Sequence, residues 1–311
     1  MKIVLLDTLT FGETDLSAFY ELGAVETFET TSKEQTQERI TNADVIVTNK
    51  VVITDVHMEN APKLKLVCVA ATGMNNVDLE AAKKRGIEVK NVSGYSTASV
   101  IQHTFSMLFY LVGHSKYYDE YVKGGSYSKS PIFTDITKPF FEIKGKKWGI
   151  IGLGTIGHGV ANIAKIFGTQ ICYFSTSGKN SSKDYLRVEL DELLKSCDII
   201  SIHAPLNEKT INLLGYEQLL TCKNGAVILN LGRGGIIDEK AVARIIDEKN
   251  IYFGLDVLEK EPIEQNHPLL YVKNHNNLYI TPHIAWASVE ARDKLITSVV
   301  ENIREFVIAR Q

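Results

Sequence analysis

The sequence predicts an α/β protein built from two doubly wound parallel sheets. Two stretches of the chain, residues 2–92 and residues 146–281, each alternate short apolar runs rich in β-branched residues with segments of helical spacing. This alternation is typical of parallel sheets covered by helices. A chain of 311 residues also has room for about two domains. We therefore expect one sheet from each stretch.

The first stretch contains five predicted strands and four predicted helices. Ser32 is expected to cap the second helix, because its hydroxyl can bind amides that have no partner inside the helix. Gly86 is expected to end the fourth helix. The strands are predicted at residues 2–7, 24–29, 44–49, 64–71 and 87–92, and the helices at residues 14–23, at residues 32–43, before Pro62 and at residues 77–85.

Residues 98–123 carry apolar side chains on most faces of a predicted helix, and Gly124 and Gly125 mark its end. A surface helix needs only one apolar stripe, so this segment has to be covered on several sides. Two environments would do so: a central position between domains, or an interface between subunits. Residues 124–144 are predicted to form an extended connection, because they contain two prolines and scattered aromatic residues.

The second stretch repeats the alternation and predicts a second doubly wound sheet. Its strands are predicted at residues 147–151, 170–174, 198–203, 226–231, 252–257 and 278–281. Its helices are predicted at residues 155–167, 190–196, 216–222 and 239–249, and a long amphipathic helix at residues 288–310 ends the chain.

Composition excludes several classes of function. The 34 Lys and Arg residues are balanced by 37 Asp and Glu residues, so no broad basic field favours nucleic acid or anionic membranes. No stretch approaches the ~20 apolar residues of a membrane helix, and the N-terminal apolar run is too short for a signal peptide. We therefore expect a cytoplasmic protein. No metal site is predicted, and four cysteines without a CxxC spacing are expected to be buried thiols: Cys68, Cys172, Cys197 and Cys222.

A glycine-rich motif lies directly between a predicted strand and a predicted helix. Gly152, Gly154 and Gly157 form GLGTIG. The first glycine permits a tight turn, the second lets the backbone approach a pyrophosphate, and the third lets helix and strand pack closely. The helix N-terminus adds amide donors and partial positive charge. The motif predicts a Rossmann-type domain that binds NAD or NADP.

The acidic residue that usually binds the adenosine ribose hydroxyls is missing at the end of the second strand. Ser175 stands there, followed by Thr176 and, three positions further on, Lys179. Without a carboxylate, a ribose 2′-phosphate is not repelled, and these three residues could bind it. A hydroxyl could equally bind the ribose of NAD, so both cofactors remain open.

Three polar residues follow strands of the second sheet. Arg233 lies in LGRGG, Glu261 in LDVLEKEP and His283 in TPHIAW. Ligands of open parallel sheets bind at the carboxyl ends of the strands. A guanidinium binds a carboxylate through two hydrogen bonds, an imidazole exchanges a proton with a hydroxyl or carbonyl, and a carboxylate orients the imidazole and favours its charged form. Together they suit hydride transfer at a 2-hydroxy acid.

In the glycine motif and in these three polar residues, and over nearly its whole length, the chain resembles the D-isomer-specific 2-hydroxyacid dehydrogenases. The matching segments are ATGMNNVD (71–78), GYSTASVIQHTFSMLF (94–109), GKKWGIIGLGTIG (145–157), SIHAPLNEKT (201–210), VILNLGRGGIIDE (227–239), GLDVLEKEP (254–262) and TPHIAWAS (281–288).

The resemblance implies the role of further residues. Arg233, Glu261 and His283 would be the catalytic residues, and backbone amides near Thr72 and Gly73 would hold the substrate carboxylate. Asp256 would lie beside the nicotinamide. Further cofactor contacts would come from Thr155, Ile156, Ala204, Pro205, Thr210, Leu231 and Gly232.

The resemblance also implies a discontinuous domain arrangement. Residues 1–97 and 288–311 would form a smaller, flavodoxin-like substrate domain, and residues 98–287 would form the cofactor domain. Within the family, the chain looks most like glycerate dehydrogenase (hydroxypyruvate reductase). Tyr127 stands where that group often has tryptophan.

We therefore expect an NAD(P)H-dependent enzyme that reduces hydroxypyruvate or glyoxylate to D-glycerate or glycolate. Pyruvate and phosphohydroxypyruvate are alternative substrates, and an NAD(H)-sensing binding protein of the same fold is an alternative from another class. The apolar part of the helix predicted at residues 98–123, residues 100–112, leads us to expect a homodimer.

Overall fold

The computed structural model of this chain describes residues 1–310, which form two compact units. One unit contains Met1–Ser96 together with the residues from Ala287 onward, and the other contains Thr97–Trp286. Each unit is built around its own parallel sheet.

The first unit contains a five-stranded parallel sheet with the order β2-β1-β3-β4-β5. This is the flavodoxin-like order. Three of its strands, β1, β3 and β4, are almost wholly buried, as expected for a parallel sheet with covered faces. The strands are β1 Lys2–Leu5, β2 Ala24–Thr27, β3 Val45–Thr48, β4 Leu66–Val69 and β5 Glu88–Lys90.

Short helices connect these strands, and the C-terminal helix Val289–Ile308 belongs to the same unit. The short helices are α1 Ser17–Tyr20, α2 Thr36–Ile40, α3 Asp55–Glu59 and α4 Leu79–Arg85. The predicted end of α4 is confirmed, because Gly86 adopts the left-handed conformation with φ 68° and its amide binds carbonyls of the last turn.

The prediction that Ser32 caps the second helix is wrong. α2 begins four residues later, at Thr36, and Gln35 is its N-cap. The Ser32 hydroxyl instead donates to Glu34, while its carbonyl accepts the Thr36 amide at 3.1 Å. The Ser32 hydroxyl and carbonyl are thus engaged in a local turn that precedes the helix, so the hydroxyl does not cap the helix.

The second unit contains a seven-stranded parallel sheet with the order β12-β11-β10-β9-β6-β7-β8. The order reverses between β6 and β9, as in a Rossmann domain. The two-residue strand β8 was not predicted, because two residues carry no periodic signal. The strands are β6 Lys147–Ile151, β7 Gln170–Phe174, β8 Leu186–Arg187, β9 Ile199–Ile202, β10 Val227–Asn230, β11 Tyr252–Leu255 and β12 Leu278–Ile280.

The apolar segment predicted at residues 98–123 is two helices rather than one. The break falls at Gly113 and His114, where His114 has φ 49°. Met107 and Leu108 of the first of these helices are fully buried within the core of the second unit. The helices of this unit are α5 Thr97–Val112, α6 Ser115–Lys123, α7 Thr155–Ile166, α8 Leu190–Ser196, α9 Tyr216–Thr221 and α10 Glu239–Glu248.

Burial in the core of the second unit accounts for most apolar side chains of α5, while Phe109 is 38% exposed. Large apolar side chains are exposed further along instead, at Ile132, Phe133, Ile136 and Phe140. The four cysteines have free, buried thiols, as predicted. Over residues 1–310, none of the helices has both the length and the apolar character needed to cross a bilayer.

Candidate active site

The glycine loop follows β6 and leads directly into α7. Gly152 has φ 92°, and a Cβ at this position would lie 2.9 Å from the amide nitrogen of Ala204, two residues after β9. A Cβ on Gly157 would overlap the Gly152 carbonyl oxygen. Both positions therefore need glycine so that the loop and helix can pack.

Gly154 differs from these two glycines. It has an ordinary negative φ of −88°, and a Cβ built on it would meet no atom of residues 1–310 within 4 Å. Gly154 and Thr155 are exposed, and the N-terminus of α7 has no side-chain cap. Space beside an uncapped helix N-terminus fits an approaching pyrophosphate, since both the amide donors and the helix dipole favour an anion.

Ser175 follows β7 and carries a buried polar atom. The residue is 4% exposed, and its Oγ has no hydrogen-bond partner among residues 1–310. A buried hydroxyl without a partner is uncommon in a folded protein. The loop beyond it turns back through the Gly178 amide, which donates to the Ser175 carbonyl at 3.1 Å, and Lys179 is exposed.

Arg187 of β8 is a residue that the sequence analysis missed. Its Nη1 donates to the Gly178 carbonyl at 3.0 Å, so its guanidinium lies beside the same loop as Ser175, Thr176 and Lys179. No sequence signal predicted this proximity, because it depends on the short strand β8 pairing with β7.

The segment after β9 is closed by a buried threonine. The Thr210 hydroxyl donates to the Pro205 carbonyl at 2.7 Å and accepts the Asn207 amide at 2.8 Å. Ala204 is buried at the start of this segment. Thr210 thus shapes the loop that carries Ala204 and Pro205.

The turn that carries Arg233 is held by Asn230, the last residue of β10. The Asn230 amide group donates to the Arg233 carbonyl at 2.9 Å, and its oxygen accepts the Gly232 amide at 3.1 Å. Arg233 is exposed, and its Nη1 donates to the Gly232 carbonyl at 2.8 Å. Leu231 is buried beneath the turn. The guanidinium is therefore presented toward solvent on a fixed backbone.

Glu261 and His283 form a hydrogen-bonded pair. His283 Nδ1 lies 2.7 Å from Glu261 Oε2, and the Leu258 amide donates to Glu261 Oε1 at 3.0 Å. An ionised carboxylate can only accept, so His283 Nδ1 carries a proton and Nε2 is left to exchange one with a ligand. This is the arrangement expected of an oriented general acid and base.

Asp256 anchors the loop that carries His283. Its buried carboxylate accepts the Thr281 hydroxyl at 2.6 Å and the amides of Ile284 and Ala285 at 2.9 and 3.0 Å. The Asp256 carbonyl also accepts the His283 amide at 2.8 Å. This frame holds His283 at φ 54°, a left-handed conformation that non-glycine residues rarely adopt.

Two other histidines lie near strand ends of this unit. His103 Nε2 is 3.1 Å from the Thr281 hydroxyl, and burial lowers the pKa of His103 even though the Asp256 carboxylate nearby opposes that shift. Burial also lowers the pKa of His203 to about 3, while its Nε2 lies 3.0 Å from the Ser201 hydroxyl. Burial therefore disfavours the charged form of both imidazoles.

Thr72 and Gly73 lie in the first unit, after β4. The Thr72 hydroxyl donates to the Val92 carbonyl at 3.1 Å, and the Thr72 carbonyl accepts the Asn91 side-chain amide at 2.6 Å. These bonds fix the loop that carries the Gly73 amide.

The second unit thus combines a glycine loop that fits a dinucleotide with a carboxylate–imidazole pair that can move a proton. These features define a dinucleotide-dependent oxidoreductase. Residues 105–285 match the family model described as "D-isomer specific 2-hydroxyacid dehydrogenase, NAD binding domain". The chain belongs to this family.

Similar proteins agree with that assignment. The hydroxypyruvate reductase of Blautia hydrogenotrophica is 36% identical over 317 residues, covering 99% of this chain and 97% of that protein. The glycerate dehydrogenase of Methylorubrum extorquens is 33% identical over 310 residues, with coverages of 99% and 97%. A solved acyclic imino acid reductase (Bsp5), in complex with NADPH and D-Arg, is 30% identical with a TM-score of 0.85 and coverages of 99% and 98%. The predicted family, fold class and NAD(P) cofactor are confirmed.

Proposed function

We propose that this enzyme reduces a small 2-keto acid, hydroxypyruvate or glyoxylate, with His283 as the proton donor. The hydrogen bond of 2.7 Å between His283 Nδ1 and Glu261 Oε2 carries the mechanistic part of the proposal. The names of the relatives, hydroxypyruvate reductase and glycerate dehydrogenase, support the choice of substrate.

The cofactor site is proposed at the glycine loop of the second unit. The open space beside Gly154, the uncapped N-terminus of α7 and the unpartnered Ser175 hydroxyl fit a dinucleotide. Gly152 and Gly157 shape the loop, and Thr155 and Ile156 would face the pyrophosphate. Further lining is proposed for Ala204, Pro205, Thr210, Leu231, Gly232 and Asp256. When bound, the reduced nicotinamide supplies a hydride to C2 of the keto acid.

The protein side chains bind the substrate and move the proton. Arg233 would bind the substrate carboxylate through two hydrogen bonds. A role in substrate binding is also proposed for the backbone amides near Thr72 and Gly73 in the first unit. Glu261 fixes His283 Nδ1, so Nε2 donates its proton to the carbonyl oxygen during reduction. In oxidation, the neutral imidazole takes that proton from the hydroxyl.

We propose that NADPH is used as well as NADH. Ser175 supplies no carboxylate to repel a 2′-phosphate, and three polar or basic residues lie on the same loop or beside it: Thr176, Lys179 and Arg187. Charge-assisted hydrogen bonds to phosphate would come from Lys179 and Arg187.

We also propose a homodimer, supported by the exposed apolar side chains of residues 132–140 rather than by α5. Phe133 is 88% exposed and Ile136 is 78% exposed, and monomers rarely leave large apolar patches exposed. Light scattering is expected to give about twice the 34.7 kDa chain mass. A Phe133→Asp, Ile136→Asp double variant is expected to give the chain mass.

Steady-state kinetics tests the proposed reaction. Hydroxypyruvate, glyoxylate, pyruvate and 3-phosphohydroxypyruvate are each compared with NADH and with NADPH. We expect the highest kcat/KM with hydroxypyruvate or glyoxylate. A higher kcat/KM with pyruvate or phosphohydroxypyruvate would replace the proposed substrate. Tight NADH binding without turnover of any acid would favour an NAD(H)-sensing binding protein.

A further inference from the structure

Glu239 is a buried carboxylate close in sequence to the turn that carries Arg233. It is the first residue of α10 and is 6% exposed. A charged group this deeply buried is costly unless hydrogen bonds satisfy it. An acidic residue in the first turn of a helix gains from the helix dipole even when exposed, so the dipole does not explain the burial.

Each oxygen of the Glu239 carboxylate has its own partner. The Glu259 backbone amide donates to Oε1 at 2.5 Å, and His267 Nε2 lies 3.0 Å from Oε2. His267 Nδ1 accepts the Leu269 amide at 3.4 Å, so Nε2 is the nitrogen that carries the proton and donates it. Burial raises the pKa of Glu239, while the Glu259 amide and His267 oppose the shift.

The amide that Glu239 binds belongs to the turn that presents Glu261. In this turn the Leu258 amide binds Glu261 Oε1, and Glu261 Oε2 binds His283. The same turn also packs against the Arg233 loop, because a Cβ at Gly234 would overlap the Leu258 carbonyl and crowd the Glu259 amide nitrogen. Glu239 is therefore fixed to the turn that carries Glu261, at the residue where this turn packs against the Arg233 loop.

We infer that Glu239 is a positioning residue for the proposed reaction: it holds the 258–261 turn so that Glu261 stays aligned on His283, and His267 holds Glu239 in place. This inference rests on the proposed function. It assigns no contact with substrate or cofactor to Glu239 or to His267.

The variant Glu239→Gln changes the hydrogen bonding with little change in shape. The Gln oxygen can still accept the Glu259 amide, but its amide group then faces the His267 Nε2 proton. Two donors would then face each other. Either the contact between residue 239 and His267 Nε2 is lost, or the ring changes tautomer and loses the hydrogen bond from the Leu269 amide to His267 Nδ1. We expect kcat to fall about tenfold, since small misplacements of catalytic groups are costly. The dissociation constant of NADH is expected to stay within about twofold.

A double-mutant cycle with Glu261→Gln separates positioning from a general structural effect. If Glu239 acts through Glu261, adding Glu239→Gln to Glu261→Gln should lower kcat less than about twofold further, since coupled residues are non-additive. A full tenfold further loss would overturn the inference while leaving the proposed function intact. A Glu261→Gln single variant with normal kcat would instead overturn the proposed function.

Two further variants keep the test decisive if Glu239→Gln folds poorly. His267→Asn keeps a side chain able to cap Leu269 but is too short to reach Glu239, and it should show the same dependence on Glu261. Glu248→Gln is the matched control on α10, because Glu248 is exposed and binds Tyr216 and Arg244. It should leave kcat unchanged. A normal kcat in both Glu239→Gln and His267→Asn would also overturn the inference.

Discussion

The two sheets share one topological feature, a reversal of the strand order, but differ in what occupies the gap that it creates. In each sheet the strand order reverses once, between β1 and β3 in the first unit and between β6 and β9 in the second. The gap at the carboxyl ends of such a strand pair, here called the reversal point, is where open parallel sheets bind ligands.

The reversal point of the first unit is filled by a side chain of the protein. Asp7 follows β1, and its carboxylate accepts the Asn49 amide at 2.9 Å and the Lys50 amide at 2.7 Å. Asp7 is 5% exposed, and burial raises its pKa against the opposing backbone hydrogen bonds. The backbone amides that could bind an anionic ligand here already bind the Asp7 carboxylate.

Asp7 is the second residue after β1, whereas at the reversal point of the second unit β6 is followed directly by Gly152. It brings no side chain, and the next glycine, Gly154, borders open space. Both sheets therefore have a gap at the reversal point, but the topology alone does not determine whether a ligand can bind there. The residues in the loop after the first strand of the pair, Asp7 in one unit and the glycines in the other, decide whether the site stabilises the fold or receives a ligand.

The largest effect should come from removing the proposed proton donor of the second unit. His283→Ala is expected to lower kcat at least about 100-fold, because no group then donates the proton. Steady-state reduction of hydroxypyruvate measures this loss. The matched variant His283→Asn tolerates the left-handed backbone at this position and should lose as much. Normal activity in His283→Asn would show that backbone strain, not proton transfer, explains the alanine result.

At the reversal point of the first unit, the expected effect is on stability. Asp7→Ala leaves buried amides without an acceptor, so the free energy of unfolding should fall by about 1–3 kcal/mol. Urea denaturation measures it, and the dissociation constant of NADH for the folded protein should not change. Asp15→Ala is the control, because Asp15 is exposed and accepts hydrogen bonds from the neighbouring Ser17. Equal losses in both variants would contradict the proposed difference between a filled and an open reversal point.

The fold and the chemistry of the second unit could be predicted where local patterns determine them. The observed bounds of β6, β7 and α8 are those predicted, because apolar periodicity changes sharply at each end. The Glu261–His283 pair was predicted because both residues follow strands of one sheet. Arg187 and Glu239 could not be assigned, because their partners come from distant segments that only the folded chain brings together.

The cofactor preference tests how the open reversal point selects its ligand. Ser175→Asp places a carboxylate at the end of β7, and we expect the ratio of kcat/KM with NADPH to that with NADH to fall about tenfold, roughly 1.4 kcal/mol. The cause is repulsion of the 2′-phosphate. Kinetics with both cofactors measures the ratio. An equal response of the two cofactors would mean that this loop does not contact the ribose.

The smallest expected effect is on NADH binding, and it should distinguish two glycines of the same loop, Gly154 and Gly157. Gly154→Ala adds a methyl group where the protein has open space, so the melting temperature should barely change. The methyl group would instead obstruct the pyrophosphate, and the dissociation constant of NADH should rise roughly fivefold, about 1 kcal/mol. Gly157→Ala is the counterpart, because its Cβ would overlap the Gly152 carbonyl, and it should lower the melting temperature. Thermal melts and NADH titration of both variants measure the contrast. Unchanged NADH binding in Gly154→Ala would show that the open space beside this glycine is not where the dinucleotide binds.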